Sequence, residues 1–87
     1  MTASWSISWS SDAARFLTRL AKPEQLRIIR KVEEASQNPQ HFFQRLVGQD
    51  DYKLRVGDYR VIALLVQSEK MIIVEQIGHR KNIYEKG

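Results

Sequence analysis

The sequence has 87 residues and a mass of 10.2 kDa, enough for one compact domain and too little for two independent cores. Hydrophobic residues make up 43% and charged residues 28%, which is ordinary for a globular domain and excludes a disordered tail. The net charge of +4 favours an anionic partner, and the absence of cysteine excludes disulfides, thiolate metal sites and a cysteine nucleophile. No apolar run approaches the roughly 20 residues of a membrane helix, so we expect a cytoplasmic single domain over 1–87.

The first predicted element is a strand over residues 4–10. Trp5, Ile7 and Trp9 fall on one face and serines fall on the other, the period of a half-buried strand. Residues 10–12 then offer side-chain oxygens that cap a helix. The apolar residues of that helix recur at helical spacing, at Ala13, Phe16, Leu17 and Leu20.

A second helix follows after a very short link, which predicts an antiparallel helical hairpin. Pro23 suits its first turn, and Asn38-Pro39 ends it, because the residue before a proline is pushed out of the helical region. Its buried stripe contains Leu26, Ile29 and Val32. We expect its charged residues to face water, namely Arg27, Arg30, Lys31, Glu33 and Glu34.

Residues 38–51 are the least regular part of the sequence. Four apolar residues lie in it, which is too many for a free linker: Phe42, Phe43, Leu46 and Val47. We therefore predict a connection that packs against the core. His41, in the same stretch, is predicted to be a loop residue rather than a metal ligand.

Three strands are predicted after this stretch, over 52–56, 59–67 and 71–77, because Val, Ile, Leu and Tyr dominate there. Gly57-Asp58 and Ser68-Glu69 separate them as tight hairpin loops, and Gly57 supplies the positive φ of a type II′ turn. The resulting order, β-α-α-β-β-β, predicts an α+β domain. Its sheet is mainly antiparallel and twisted, with the helical hairpin packed on one face.

The two hairpin loops also predict the strand registers. The first loop pairs Val56 with Tyr59, Arg55 with Arg60, Leu54 with Val61 and Lys53 with Ile62. The second loop places Glu75 opposite Ile62, two strands away from Lys53.

These registers place Lys53, Arg55 and Arg60 together on the face without helices. Two interpretations stay open: a solvated face with one long-range ion pair to Glu75, or a site for an external anion. Arg80 follows the last strand and Tyr84 follows four residues later, and a basic patch with an accessible aromatic suits single-stranded RNA. The sequence contains no cofactor motif, no metal-ligand cluster and no Ser-His-Asp arrangement, so we expect no cofactor or metal.

Three segments carry a family likeness: 46–48, 52–61 and 77–84. The second contains Lys-Leu-Arg-Val-Gly-Asp-Tyr-Arg and the third contains Gly-His-Arg. Together with the element order they resemble the RelE/ParE toxin superfamily, on its RelE side, over nearly the whole chain.

The resemblance implies a toxin of a type II toxin–antitoxin system that is a ribosome-dependent mRNA endonuclease. Such toxins cut the codon in the ribosomal A site by attack of the RNA 2′-hydroxyl on the adjacent phosphorus, which inhibits translation. The implied partners are the ribosome, mRNA and a cognate RelB-like antitoxin, through which alone the toxin meets DNA. No membrane partner is implied.

The resemblance also implies the site residues by position. The catalytic set is Lys53, Arg55, Arg60, Arg80 and Tyr84, and the RNA-binding set is Lys53, Arg55, Arg60, His79, Arg80 and Lys81. Arg60 is expected to clamp the scissile phosphate, Arg80 to stabilise or protonate the leaving oxygen, and Tyr84 to stack on a base. The best-known member has lysine at the position of Arg55; arginine is a very poor proton acceptor, so Lys53 is the expected general base. His79 is an alternative acid or base.

Two other functions fit the same resemblance. One is a ParE-like toxin that poisons DNA gyrase without cutting RNA, a group that generally lacks the full cationic set and the terminal tyrosine. The other is a catalytically inactive relative that only binds an antitoxin.

Overall fold

The computed structural model of the chain describes residues 4–46, 48 and 50–79. These residues form β1 (Ser6–Trp9), α1 (Ser11–Thr18), α2 (Lys22–Ala35), α3 (Pro39–Phe42), β2 (Gln44–Arg45), β3 (Asp51–Val56), β4 (Tyr59–Val66) and β5 (Met71–His79). The predicted order is confirmed, and α3 and β2 are short additions within the stretch that is irregular in sequence. None of the helices in these ranges is long and apolar enough to cross a bilayer.

The strands form one sheet in the order β1-β5-β4-β3-β2. The pairs β2–β3, β3–β4 and β4–β5 are antiparallel, and β1 runs parallel to β5 at the edge. The α+β class with a mainly antiparallel sheet is therefore confirmed. The edge pair is parallel because β1 and β5 are distant in sequence, and no hairpin forces them to run in opposite directions.

Ser10 joins β1 to α1 and is the N-cap, one of the three candidates over residues 10–12. Its hydroxyl accepts a hydrogen bond from the backbone N–H of Ala13 at 3.0 Å and donates one to the carbonyl of Glu75 at 2.7 Å. Its backbone N–H donates to the carbonyl of Val74 at 2.9 Å. One residue thus starts α1 and fixes that helix against β5, on which it packs.

The helical hairpin forms as predicted, and α2 ends shortly before Asn38-Pro39. Pro23 lies in its first turn, and its last helical residue is Ala35, followed by a turn at residues 36–37. The hydroxyl of Ser36 donates to the carbonyl of Glu33 at 2.6 Å and closes the final turn. Asn38 has a φ of −154° because it precedes Pro39, which begins α3 instead of following a continuous helix.

The irregular stretch is held against the rest of the domain, as predicted. Phe43 is buried in the main core and Leu46 is buried against Ile62 on the other face of the sheet. β2 pairs Gln44 with Lys53, and Arg45 with Tyr52, which fastens the end of α3 to β3. Val47, the fourth apolar residue of this prediction, lies outside the described residues.

The β3–β4 hairpin has the predicted register at all four pairs, from Lys53–Ile62 to Val56–Tyr59. Gly57 has a φ of 59°, the left-handed conformation that the turn requires. The guanidinium of Arg27 lies so close that a Cβ at Gly57 would be 3.1 Å from its Nη1 atom. Glycine is therefore favoured here by the backbone angle, whereas the exposed Arg27 side chain can shift to admit a Cβ.

The predicted helix-side face is confirmed as the main core. Its strand residues pack with α1 and α2 in one cluster: Leu54, Val56, Tyr59, Val61, Ala63, Leu65, Ile72 and Val74. Trp5, Ile7 and Trp9 border the same cluster from β1. The alternation of apolar and polar residues along the strands therefore decides which face the helices cover.

The β4–β5 register departs from the prediction at Glu75. Val66 pairs with Met71 and Ala63 with Val74, as the loop predicts, although the turn takes in residues 67–70 rather than two residues. A β-bulge then pairs Ile62 with Gln76, so the prediction that Glu75 lies opposite Ile62 is wrong. A bulge adds one residue to β5, which a register counted from the turn does not anticipate.

The bulge places Glu75 beside Asp51 rather than in the predicted cross-strand position. Their carboxyl groups share a hydrogen bond across β4, which requires a proton on one of them. Partial burial of Glu75, followed by this hydrogen bond and the negative charge of Asp51, raises the pKa of Glu75 from 4.5 to about 7. The folded protein thus holds a proton on this pair that the unfolded chain releases at lower pH.

We expect Leu54→Asp to unfold the protein. Leu54 retains only 4% of its exposure and faces the helices, so the change would bury an unpaired carboxylate. The cost, more than about 3 kcal/mol, is comparable with much of the stability of a small domain. Circular dichroism and urea unfolding measure the effect, and Ser8→Asp, on the exposed side of β1, is the matched control. A stable Leu54→Asp protein would contradict the orientation of β3.

We expect the free energy of unfolding to fall as the pH rises from about 4.5 to about 7, because folded Glu75 holds its proton more tightly than unfolded Glu75. Glu75→Gln should remove this fall and stabilise the protein above pH 7 by on the order of 1 kcal/mol, since the pair stays partly open to solvent. Urea unfolding across this range measures it, with Glu69→Gln in the β4–β5 turn as the control. A wild-type protein as stable as Glu75→Gln above pH 7 would contradict the assignment.

Candidate functional site

Three of the predicted site residues lie side by side on neighbouring strands. Lys53 and Arg55 are two residues apart on β3 and therefore project from the same face of the sheet. Arg60 is the direct partner of Arg55 across the hairpin. Side chains that pair in this way have Cβ atoms about 5 Å apart. The three cations therefore occupy one small area, as the hairpin register predicts.

The three cations line one wall of a groove with a volume of about 470 Å³. Four residues that the sequence analysis did not assign to the site line it from the other side: Lys31, His41, Phe42 and Gln44. Lys31 comes from α2, the next two from the last turn of α3, and Gln44 from β2. The groove is thus lined by residues of three strands, β2, β3 and β4, and of two helices, α2 and α3.

The helical wall is built on Phe42. The ammonium group of Lys31 lies 5.2 Å from the centre of the Phe42 ring, and the His41 ring meets Phe42 edge-on with 5.2 Å between ring centres. Lys31 also binds the carboxylate of Glu34 at 3.1 Å. The prediction that Lys31 simply faces water is therefore wrong, because the return of the chain through α3 covers part of its side chain.

The groove has a strongly positive character. Lys31, Lys53, Arg55 and Arg60 all line it, and none of the described lining residues carries a carboxylate. Such an arrangement favours an anion, since a wall lined with one sign of charge concentrates the opposite sign. A flatter groove of about 930 Å³ runs along α2 beside it and shares Lys31 and Arg55. Glu24 and Glu34 also line this second groove and pair with Arg27 and Lys31, so it has a mixed charge rather than a purely positive one.

The remaining predicted site residues lie at or beyond the end of β5. His79 pairs with Tyr59, and their rings meet edge-on with 5.8 Å between centres. Because Tyr59 packs against the main core, His79 lies on the helix side rather than in the groove. Arg80, Lys81 and Tyr84 lie outside the described residues, so their predicted roles remain predictions.

Little in the local sequence marks the additional groove residues as part of the site. His41 belongs to a one-turn helix, not to the predicted loop, and is exposed at the groove. Its position follows from the pairing of Gln44 with Lys53, a contact between chain segments that hydrophobic periodicity does not reveal. Among the described residues, no group of three histidine, aspartate or glutamate side chains is placed to hold a metal ion.

The chain is similar in fold to solved toxin structures. The toxin–antitoxin complex RelBE2 from Mycobacterium tuberculosis matches with a TM-score of 0.80 and 15% identity, over 94% of this chain and 98% of that chain. The intact E. coli RelBE complex matches with a TM-score of 0.72 and 20% identity, over 86% and 95%. The archaeal RelE–RelB complex from Pyrococcus horikoshii OT3 matches with a TM-score of 0.74 and 22% identity, over 93% and 100%.

The sequence itself matches a family model. A comparison with curated proteins gives no match. Residues 7–84, however, match the model of the ParE toxin of the type II toxin–antitoxin system parDE. This match extends over most of the chain and agrees with the RelE-like fold. The chain therefore belongs to the ParE toxin family of type II toxin–antitoxin systems, within the RelE/ParE superfamily.

Proposed function

We propose that this toxin is a ribosome-dependent endoribonuclease that cuts mRNA in the ribosomal A site and so inhibits translation. The observation that supports the proposal most strongly is the groove in which Lys53, Arg55 and Arg60 converge. A cross-strand pair of like charges is unfavourable by itself. A bound phosphate between the two guanidinium groups would turn that repulsion into a shared attraction.

The groove offers the interactions that a transferring phosphoryl group requires. Guanidinium groups bind phosphate oxygens through paired, charge-assisted hydrogen bonds, and Arg55 and Arg60 present two such groups together. Lys53 adds an ammonium group from the same strand as Arg55. Fixed cations stabilise the extra charge that develops on phosphorus oxygens during attack, an effect typically worth 10²–10³ in rate for one donor.

The reaction in this proposal uses a nucleophile within the RNA. The 2′-oxygen attacks the adjacent phosphorus, the bond from phosphorus to the 5′-oxygen breaks, and the products are a 2′,3′-cyclic phosphate and a 5′-hydroxyl. Arg60 clamps the scissile phosphate. Arg80 stabilises the negative charge that develops on the leaving 5′-oxygen, and Tyr84 stacks on a base. The ribosome contributes by holding the messenger strand in line for attack.

The RNA strand extends beyond the scissile phosphate in this proposal. Arg55 contacts the backbone beside it, and Lys81 contacts the strand beyond the end of β5. His79 is left out of this contact because it lies on the helix side, against Tyr59. Lys31, on the helical wall, adds a further cation on the other side of the groove. The site needs no metal ion, because the cations of the protein supply the charge stabilisation.

We also propose a RelB-like antitoxin as the partner that neutralises this toxin. The three solved structures described above are complexes that contain RelB antitoxins. An antitoxin segment with acidic residues would match the cationic groove and block access of RNA to it. Contact with DNA then occurs only through the antitoxin, and we place the complex in the cytoplasm.

The family match favours a second candidate function, poisoning of DNA gyrase without RNA cleavage. The two functions make different products in cells. A nuclease leaves mRNA cut at codon spacing on stalled ribosomes, whereas a gyrase poison induces DNA damage and leaves mRNA intact. Mapping mRNA 5′ ends after induction of the toxin alone distinguishes them. A protein that binds antitoxin but causes neither mRNA cleavage nor DNA damage would be an inactive relative.

We expect Arg60→Ala to lower ribosome-dependent mRNA cleavage by about 100-fold or more, because it removes a cation that would hold the scissile phosphate. Toxicity on induction should disappear while the fold is kept. Arg80→Ala should have the same effect. Arg19→Ala is the matched control, since Arg19 is an exposed arginine at the end of α1 and does not line the groove. Full cleavage by the Arg60 variant would refute the proposed site, and DNA damage with intact mRNA from the wild type would refute the nuclease.

A further inference from the structure

We propose that His41 is the catalytic proton acceptor of this groove and takes the proton from the attacking 2′-hydroxyl. The proposal rests on the proposed nuclease function and assigns the base within it. The sequence analysis expected Lys53 to take this role, and treated His41 as a loop residue. The structure instead puts the exposed imidazole of His41 in the same groove as Lys53 and Arg60.

The position of His41 is fixed by backbone contacts at both ends of α3. The backbone N–H of His41 donates to the carbonyl of Asn38 at 3.0 Å, and that of Phe43 donates to Pro39 at 2.8 Å. Directly after this turn Gln44 pairs with Lys53 on β3. The last turn of α3 therefore cannot move away from Lys53 without breaking the β2–β3 pairing.

The side chain of His41 rests on a fixed support but remains open to solvent. Its ring lies edge-on to Phe42, with an angle of 85° between the rings. Phe42 in turn packs against the main core and lies under the ammonium group of Lys31. This support limits the movement of the imidazole, while its exposed side faces the space where an RNA strand would lie.

Among the described lining groups, His41 is the most suitable base. Guanidinium groups do not give up a proton in proteins, and the amide of Gln44 is not a proton acceptor of useful strength. Lysine ammonium groups normally hold their protons near neutral pH. Histidine is the side chain that most readily accepts and releases a proton in that range. Lys53 is then left to stabilise charge at the phosphate.

The proposed step balances in protons and bonds. The imidazole of His41 accepts the proton of the 2′-hydroxyl as the bond from the 2′-oxygen to phosphorus forms. The bond from phosphorus to the 5′-oxygen breaks, and the 5′-oxygen takes a proton from water. The imidazolium then returns its proton to solvent. No oxidant, metal ion or cofactor is needed.

The test uses programmed ribosomes with a cleavable codon in the A site and a saturating amount of toxin. His41→Ala should lower the single-turnover cleavage rate by about 100- to 10,000-fold, the usual range for loss of a general base. The affinity of the toxin for the ribosome should stay within about twofold, since the groove keeps its four cations. Gln40→Ala, an exposed neighbour on α3, is the matched control and should cleave like the wild type.

The pH dependence separates proton transfer from a merely structural role. The groups that face His41 in the groove are Lys31 of α2, paired with Glu34, and the sheet residues Lys53, Arg55 and Arg60. The cleavage rate of the wild type should rise with pH to a break, and His41→Gln should lose that break. Glu75→Gln is profiled in parallel because the raised pKa of Glu75, about 7, gives a second titration in the folded protein, and this variant should keep the break.

The outcomes distinguish failure of the inference from failure of the proposed function. If the wild type does not cut mRNA on the ribosome, the nuclease proposal fails and the assignment of His41 fails with it. If the wild type cuts and His41→Ala cuts at a similar rate, only the assignment of His41 is overturned. The assignment of His41 is also overturned if the His41→Ala variant, at a saturating concentration, is fully active and differs only in weaker ribosome binding. It is overturned as well if Glu75→Gln removes the pH break.

Discussion

The constraint on which the site depends is the pairing of Arg55 with Arg60 across a tight turn. Two guanidinium groups in this position repel each other, so the pairing persists only because other interactions fix the register. Gly57 supplies the turn, and burial of Leu54 and Val61 fixes the register, since a slip of one residue would move the apolar side chains of the slipping strand to the opposite face. Core packing thus maintains a local concentration of positive charge that is poised to bind an anion.

The second wall of the groove depends on the short segment between the helices and the strands. Asn38-Pro39 ends one helix and starts another, and the pairing of Gln44 with Lys53 then fixes α3 at the sheet edge. This arrangement adds an aromatic ring, an imidazole and a further ammonium group to the three cations of the strands. A charged surface becomes a groove with two chemically different sides, which is what phosphate chemistry with proton transfer requires.

The parts of this structure that could be predicted from sequence are those fixed by local rules. The β3–β4 register follows from the two-residue turn at Gly57, and the faces of the strands follow from the alternation of side chains. The bulge at Glu75 was not predictable, because nothing in the local pattern of β5 marks an extra residue. The helical wall, with Lys31 and His41, arises from contacts between distant segments of the chain. Hydrophobic periodicity carries no information about such contacts.

The central claim is that a messenger strand lies in the groove with its scissile phosphate against the cations. The most direct measurement is a structure of the wild-type toxin on a ribosome whose A-site codon carries a 2′-deoxynucleotide at the cleavage position, which prevents the reaction. The account predicts an intact strand with a phosphate within hydrogen-bonding distance of Arg60 and Lys53 and with His41 next to the missing hydroxyl. A messenger strand that passes along another face of the toxin, or a toxin bound outside the A site, would contradict it.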